Sequence, residues 1–139
     1  MIVIDGNGMI FGRIASRISK ELLKKNQIIL VNAEKILISG DPKAIVDRYT
    51  VKRSLKNKAN PEKSSHFSRV PKMFVKRIIR GMLPWKRPRG KEAYRNLTVY
   101  EGIPENITQK PVVFEDCRPK NISKYITIEK ICKRFGYGG

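Results

Sequence analysis

A strand–helix–strand pattern occupies the first 32 residues of the chain. Two mostly apolar runs, Met1–Asp5 and Gln27–Val31, have the length of strands that are covered on both faces. The stretch between them places apolar side chains at steps of three and four: Phe11, Ile14, Ala15, Ile18 and Leu22. That spacing is typical of an amphipathic helix. The pattern therefore predicts a βαβ unit with parallel strands and a right-handed crossover, and an α/β fold class.

The rest of the chain predicts further short elements around this unit. Asp41 followed by Pro42 is typical of an N-cap residue with a proline at the first helical position, and Thr127 is a second candidate N-cap. In chain order, we expect a strand at Lys35–Ser39, a helix from Pro42, an irregular, extended loop at 54–68, a helix from Pro71, a short basic helix from Pro88 to about Asn96, a strand at Leu97–Tyr100, an irregular stretch at 103–123 and a helix at 127–135. No internal repeat or linker divides the sequence, so residues 1–139 are expected to form a single domain.

The positive charge is concentrated in one segment. The chain has 30 Lys and Arg against 12 Asp and Glu, a formal net charge of +18. Residues 48–91 carry 15 of these cations and a single acid, Glu62, whereas residues 1–47 and 92–139 are each only +2. Aromatic residues and prolines lie between the cations, and arginine and aromatic side chains bind phosphates and stack on bases. The composition favours a nucleic-acid partner, and the long loop at 54–68 is expected to be a binding element that orders on binding.

Cysteine spacing and hydropathy exclude several other classes of protein. Cys117 and Cys132 are fifteen residues apart, which matches neither a C-x-x-C site nor a secreted disulfide framework. We expect both to be buried free thiols in a reducing compartment. No apolar run approaches the ~20 residues needed to cross a bilayer, and the first residues lack the basic and apolar regions of a signal peptide. The sequence therefore predicts a soluble cytoplasmic protein without a membrane partner.

A glycine-rich turn, Gly6-Asn7-Gly8, follows the first strand where dinucleotide-binding enzymes carry their phosphate-binding turn. The fingerprint is incomplete, because Phe11 occupies the position of its third glycine and Gly12 comes one residue late. Asn32 stands where an acidic residue would hold a ribose. We therefore interpret the turn as a tight strand-to-helix connection and predict no cofactor.

No constellation of side chains suits catalysis. His66 is the only histidine and lies in the basic loop, where contact with a base or a phosphate suits it better than general-base chemistry. We expect no catalytic residue, no metal and no small-molecule substrate, and hence no enzyme. Two other features remain open: Arg13 and Arg17 share a helix face that could touch RNA or only face solvent, and Trp85 could stack on a base or fill a gap.

Several motifs in the chain occur together in one family. They are Gly12-Arg13-Ile14-Ala15-Ser16, Val31-Asn32-Ala33-Glu34-Lys35-Ile36 followed by Ile38-Ser39-Gly40, and Arg80-Gly81-Met82-Leu83-Pro84. Together they closely resemble the ribosomal protein L13 family of the large ribosomal subunit, over most of residues 1–110. His66-Phe67 ahead of Pro71, and Gly102-Ile103-Pro104, are similar to the archaeal and eukaryotic branch. The chain lacks the long C-terminal helical extension of eukaryotic members, which implies the archaeal type.

The resemblance implies a three-layer α/β/α core with a four-stranded, mainly parallel, Rossmann-like sheet, used as a non-catalytic scaffold. It also implies binding to large-subunit ribosomal RNA, support of its assembly, and neighbouring ribosomal proteins as partners in the cytoplasm. The positions that match the family in the basic elaboration, residues 48–91, are His66, Phe67, Arg80 and Gly81, with Lys86, Arg87, Arg89 and Lys91 just beyond. Charge alone adds Arg53, Lys56, Lys58, Arg69, Lys72, Lys76 and Arg77 to the predicted RNA-binding set.

Two other functions are compatible with parts of the sequence. The first is a DNA-binding protein, suggested by the charge and by the helix from Pro71 to Met82. It lacks a helix-turn-helix with a short turn and any dimerisation heptads. The second is a nucleotide-dependent enzyme built on the initial βαβ unit.

Overall fold

The computed structural model describes residues 1–138 as a mixture of short strands and helices. The strands are β1 (Ile2–Asp5), β2 (Ile28–Val31), β3 (Leu37–Ser39), β4 (Leu97–Val99) and β5 (Tyr125–Thr127). The helices are α1 (Phe11–Leu23), α2 (Pro42–Ser54), α3 (Pro71–Gly81), α4 (Pro88–Arg95) and α5 (Ile128–Arg134). Short 3-10 turns occur at Ala33–Lys35, Pro61–Lys63 and Glu115–Cys117.

The main sheet consists of three parallel strands in the order β1-β2-β4. Ile28 in the central strand pairs with Ile2 on one side and with Leu97 on the other. The predicted strand–helix–strand unit is confirmed, because β1 and β2 are adjacent and parallel with α1 between them in sequence. The side chains of β2 are buried or partly buried on both faces of the sheet, which accounts for its continuous apolar sequence.

The expectation of a four-stranded sheet is wrong for this chain. On the free side of β1 there is a single parallel bridge, in which the Val112 amide donates to the Val3 carbonyl at 2.7 Å and the Asp5 amide donates to the Val112 carbonyl at 3.1 Å. Only alternate residues of a parallel strand face its neighbour, and neither residue 110 nor residue 114 forms a second bridge to β1. The predicted strand at residues 35–39 belongs instead to a separate antiparallel pair, β3-β5, in which Leu37 pairs with Thr127.

Helix signals in the sequence are confirmed at both predicted caps. The Asp41 carboxylate accepts the Ala44 amide at 3.3 Å, with Pro42 at the first helical position, and the Thr127 hydroxyl accepts the Lys130 amide at 3.4 Å. The basic helix that was expected to reach about residue 96 ends at Arg95. Within residues 1–138, no helix is both long enough and apolar enough to cross a membrane.

The apolar core is one connected cluster to which all five helices contribute. Helix α1 buries its predicted face completely, with Ile14, Ala15 and Ile18 inaccessible to solvent. Cys117 and Cys132 are both buried free thiols, as the sequence predicts. The single-domain organisation and the three-layer arrangement stay predictions.

Candidate nucleic-acid interface

The basic segment 48–91 runs from the end of α2 through a loop of residues 55–70, helix α3 and a link of residues 82–87 into α4. In the described part of the chain there are four ion pairs, and all of them lie outside this segment. Its 15 cations are therefore not neutralised by carboxylates of the protein itself within residues 1–138. The charge of the segment is available to an external anion.

Helix α3 attaches this charge to the core. Pro71 occupies its first turn, and Phe74, Val75 and Ile79 are buried. Lys72 and Met73 are exposed on the opposite side. Because the apolar residues recur at helical spacing, one face of α3 packs on the core while the other presents cations to solvent.

The guanidinium of Arg77 holds the loop of residues 55–70 against α3. It donates to the backbone carbonyl of His66 and, at 3.0 Å, to the hydroxyl of Ser65. The same group lies over the Phe67 ring, 5.1 Å from its centroid. Arg77 is partly buried, so this predicted RNA-binding residue also positions the loop. The His66 residue itself is exposed.

Three aromatic rings attach the same loop to both neighbouring helices. Phe67 lies 5.7 Å from Tyr49 of α2 and 5.3 Å from Phe74 of α3, and the latter two rings are 4.9 Å apart. Burial raises the pKa of Tyr49 above its usual value. Phe67 therefore has a packing role, and its contact with RNA stays a prediction.

The loop also makes hydrogen bonds within itself, and it is more compact than the extended loop that the sequence predicts. The Asn57 amide donates to the Ser64 hydroxyl at 3.2 Å, and the Asn60 amide donates to the Asn57 side-chain oxygen at 3.1 Å. Together with the 3-10 turn at Pro61–Lys63, these contacts fold the loop back on itself. A cleft of about 1130 Å³ lies between this loop, the end of α2, one face of α3 and Tyr94 of α4.

A second aromatic group lies near the end of α3. The Arg80 guanidinium is 5.0 Å from the centroid of Trp85, whose ring contacts Tyr94 edge to face at 5.2 Å. The Lys76 ammonium is 5.1 Å from the Tyr94 centroid. Trp85 is 38% exposed, so it both packs on Tyr94 and presents surface to solvent. The arrangement holds two predicted RNA-binding cations beside aromatic rings.

Helix α4 packs against the link of residues 82–87 and against α1. Arg89 donates to the carbonyl of Leu23, the last residue of α1, at 3.1 Å, which satisfies a free helix-terminal acceptor. Its neighbours in the predicted set, Lys86, Arg87 and Lys91, are exposed.

The remaining predicted residues differ in their surroundings. The Arg53 guanidinium donates to the carbonyl of Phe135 at 3.0 Å and lies 5.2 Å from that ring, so it joins α2 to the C-terminal part of the chain. Lys56, Lys58 and Arg69 are exposed on or beside the loop. The structure thus distinguishes Arg53, Arg77 and Arg89, whose guanidinium groups bind backbone carbonyls, from the cations of the segment that make no such bond.

The glycine turn after β1 is explained by packing. A β-carbon at Gly6 would lie 2.7 Å from a side-chain carbon of Ile36, which occupies the space next to the turn. The Asp5 carboxylate accepts the Asn7 amide at 2.9 Å and the Asn32 side-chain amide at 2.8 Å. Asn32 is buried with a φ of 55°, a left-handed conformation that asparagine adopts more readily than most residues.

The two arginines of α1 make local contacts, and their contact with RNA stays open. Arg17 forms an ion pair with Asp116 at 2.7 Å, and Arg13 donates to the carbonyls of Asp116 and Arg118 at 3.4 and 3.5 Å. Both arginines therefore fasten the irregular stretch 103–123 to α1. Residues 1–138 contain no group of three or more His, Cys, Asp or Glu side chains that could hold a metal ion.

Comparison with known proteins places this architecture in a family. The family model described as ribosomal protein L13 matches residues 1–106. The chain belongs to the ribosomal protein L13 family. It is 40% identical to the large ribosomal subunit protein uL13 of Archaeoglobus fulgidus, over 99% of this chain and 88% of that protein. It is 39% identical to the protein of the same name from Methanocaldococcus jannaschii, over 98% of both chains, and 37% identical to that of Aeropyrum pernix, over 99% of this chain and 91% of that protein.

The ribosomal protein L13 match includes the whole basic segment 48–91. Sequence reasoning nevertheless missed Met73 and Tyr94, which line the cleft between the loop and α3. Met73 carried a usable signal, because positions 73, 77 and 80 follow the i, i+4, i+7 spacing of one helix face. No sequence pattern indicates Tyr94, because it lies on another helix, α4, and joins the cleft only in the folded chain.

Proposed function

We propose that this chain is a structural, non-catalytic constituent of the large ribosomal subunit that binds large-subunit ribosomal RNA through residues 48–91 and supports its assembly. Its α/β core, arranged in three layers as a single domain, acts as the scaffold that fixes where the basic segment points. Neighbouring large-subunit proteins are its other partners, and its location is the ribosome in the cytoplasm.

The observation that carries this proposal is the set of 15 cations that have no carboxylate partner within residues 1–138. A charge of this density is self-repelling unless a polyanion neutralises it. The family membership and the name of the relatives, large ribosomal subunit protein uL13, favour ribosomal RNA as that polyanion. A DNA duplex is less suitable, because α2 and α3 are separated by the loop of residues 55–70 rather than by the short turn of a helix-turn-helix.

The salt dependence of binding tests the proposal. Filter binding of the protein to large-subunit ribosomal RNA is measured over a range of salt concentrations. If about 6–10 phosphates are contacted, log K falls with log salt at a slope of roughly 4–7. A slope near zero contradicts the proposal, as does preferential binding to a DNA duplex at the same salt concentration.

Matched lysine variants locate the contacts. The double variant Lys86→Gln/Lys91→Gln removes two exposed cations of the basic segment, and Lys43→Gln/Lys130→Gln removes two exposed cations outside it. We expect the first to lower the salt slope by about 1.4, since each lost phosphate contact removes about 0.7. The second should leave the slope unchanged. Equal slopes for both variants would remove Lys86 and Lys91 from the interface.

A further inference from the structure

The cleft between α2, the loop of residues 55–70 and α3 differs chemically from the rest of the basic surface. Its lining combines apolar and aromatic side chains, among them Phe67, Met73 and Tyr94, which we call the apolar wall, with cations, among them Lys56, Lys58 and Arg80. No carboxylate lines it among the described residues. A surface that only neutralises phosphates needs donors and charge, so an apolar wall together with cations in one cleft indicates a ligand that is both apolar and anionic.

From this combination, we infer that the cleft binds one unpaired nucleotide of ribosomal RNA, with its base against the apolar wall and its phosphates against the cations that line the cleft. The inference rests on the proposed function and adds to it a defined binding mode. Bases that are splayed out of helices are recognised by stacking on aromatic and arginine side chains, whereas bases in an A-form duplex are not accessible in this way.

The dimensions of the cleft suit this ligand. Its volume of about 1130 Å³ is slightly above the roughly 300–1,000 Å³ typical of small-molecule sites, which leaves room for a nucleoside and the adjoining backbone. Ser64 and Ser65 on the loop side add hydroxyl groups that can bond to base edges. Met73 is 49% exposed, so a large apolar side chain faces the cleft without a protein partner that covers it.

The cleft is also held open by the protein itself. The Arg77 guanidinium fixes the backbone at His66 and the side chain of Ser65, and the Phe67 ring packs between Tyr49 and Phe74. Both sides of the cleft are therefore connected by contacts within the protein, in contrast to the expectation from the sequence that the loop orders on binding. Preorganisation of this kind lowers the entropic cost of binding.

The test uses two single-stranded RNA probes of equal charge and the full chain. One probe is a mixed-sequence RNA hexamer, and the other is the same ribose-phosphate backbone without bases. Wild-type protein should bind the hexamer at least about fivefold more tightly than the abasic probe, since stacking one base contributes ~1–3 kcal/mol. In ¹⁵N-labelled protein, the hexamer should shift the amide resonances of residues 64–68 and 73, and the abasic probe should not.

Two neutral methionine variants separate the cleft from the general basic surface. Met73→Ser removes the apolar wall, and Met82→Ser is its matched control, because Met82 is 42% exposed at the end of α3 but does not line the cleft. Met73→Ser should lose the preference for the hexamer, and Met82→Ser should keep it. Equal binding of both probes by wild-type protein, or equal effects of the two variants, overturns the inference.

The outcomes also separate this inference from the proposed function. Salt-dependent binding to large-subunit ribosomal RNA without a preference for the hexamer contradicts the nucleotide-binding role of the cleft and leaves the proposed function intact. Absence of salt-dependent binding to that RNA contradicts the proposed function. If an acidic peptide displaces the hexamer and binds the cleft more tightly, the occupant is a neighbouring protein and the inference is wrong.

Discussion

The backbone of Gly90 lies against the carbonyl of Pro84, so that a β-carbon at position 90 would be only 2.1 Å from that oxygen. Gly90 is buried in the first turn of α4, and its φ is an ordinary helical one. The glycine is therefore required by close packing between α4 and the link of residues 82–87, rather than by an unusual conformation. This contact sets the position of the link that carries Trp85.

We expect Gly90→Ala to destabilise the protein by about 1–3 kcal/mol, because overpacking forces the backbone apart. Urea denaturation measures the change. The matched control is Gly12→Ala in α1, where a β-carbon would meet nothing within 4 Å. Because alanine is a better helix former than glycine, the control should stabilise the protein by about 0.5–1 kcal/mol. Changes of the same sign in the free energy of unfolding of the two variants would contradict the packing argument.

Arg77 gives a second prediction, which concerns the loop. Arg77→Ala removes the donors to His66 and Ser65, so we expect a loss of about 1–2 kcal/mol in the free energy of unfolding and faster hydrogen exchange in residues 57–68. Arg77→Lys should lose most of the same contacts, because an ammonium cannot replace a planar fork. Lys72→Ala on the exposed side of α3 is the control and should change stability by less than about 0.5 kcal/mol. Wild-type exchange rates in Arg77→Lys would show that charge alone holds the loop.

The pH dependence of stability should reflect Cys132. Burial raises the pKa of this thiol to about 12, whereas an unfolded chain releases the proton near its ordinary value of 9.0. Above pH 9 the unfolded state therefore binds fewer protons than the native state, and the free energy of unfolding falls by up to about 1.4 kcal/mol per pH unit until about pH 12. Below pH 9 the thiol contributes no pH dependence.

Urea denaturation at several pH values between 8 and 11 checks this prediction. Cys132→Ala removes the titrating group, so its free energy of unfolding should fall less steeply with pH than that of the wild type. Cys117 remains in both proteins, where burial also raises its pKa, and its contribution cancels in the comparison. Parallel pH profiles for the two proteins would mean that the Cys132 thiol ionises equally in the native and unfolded states.

The parts of the fold that local chemistry determines were predictable from the sequence. The strand–helix–strand unit follows from apolar periodicity, and the caps at Asp41 and Thr127 follow from side chains that bond to amides three residues later. The β3-β5 pair was not predictable as a sheet, because Leu37 pairs with Thr127 across a long stretch of chain and each strand has only three residues. Such short strands leave too little periodicity to identify a partner.

The candidate interface was also only partly predictable from the sequence. Charge counting finds the basic segment, because unpaired cations accumulate in one continuous stretch of sequence. Charge counting cannot distinguish Arg77 and Arg89, whose guanidinium groups bond to backbone carbonyls, from Lys86, which makes no such bond. The difference depends on carbonyls that are distant in sequence and come close only in the folded chain. The cleft was not predictable for the same reason, since Tyr94 joins it from another helix.

A substitution at Gly81, at the end of α3, distinguishes a requirement for folding from a requirement for RNA binding. It is exposed, its φ is not positive, and a β-carbon there would meet nothing within 4 Å. Folding therefore gives no reason for a glycine, and Gly81→Ala should leave stability unchanged or raise it by up to about 1 kcal/mol. If RNA approaches the backbone here, the added methyl group should weaken binding to large-subunit ribosomal RNA at least fivefold (~1 kcal/mol). Gly12→Ala, with the same open surroundings on α1, should bind RNA as the wild type does. Unchanged RNA affinity in Gly81→Ala would remove this residue from the interface, whatever its effect on stability.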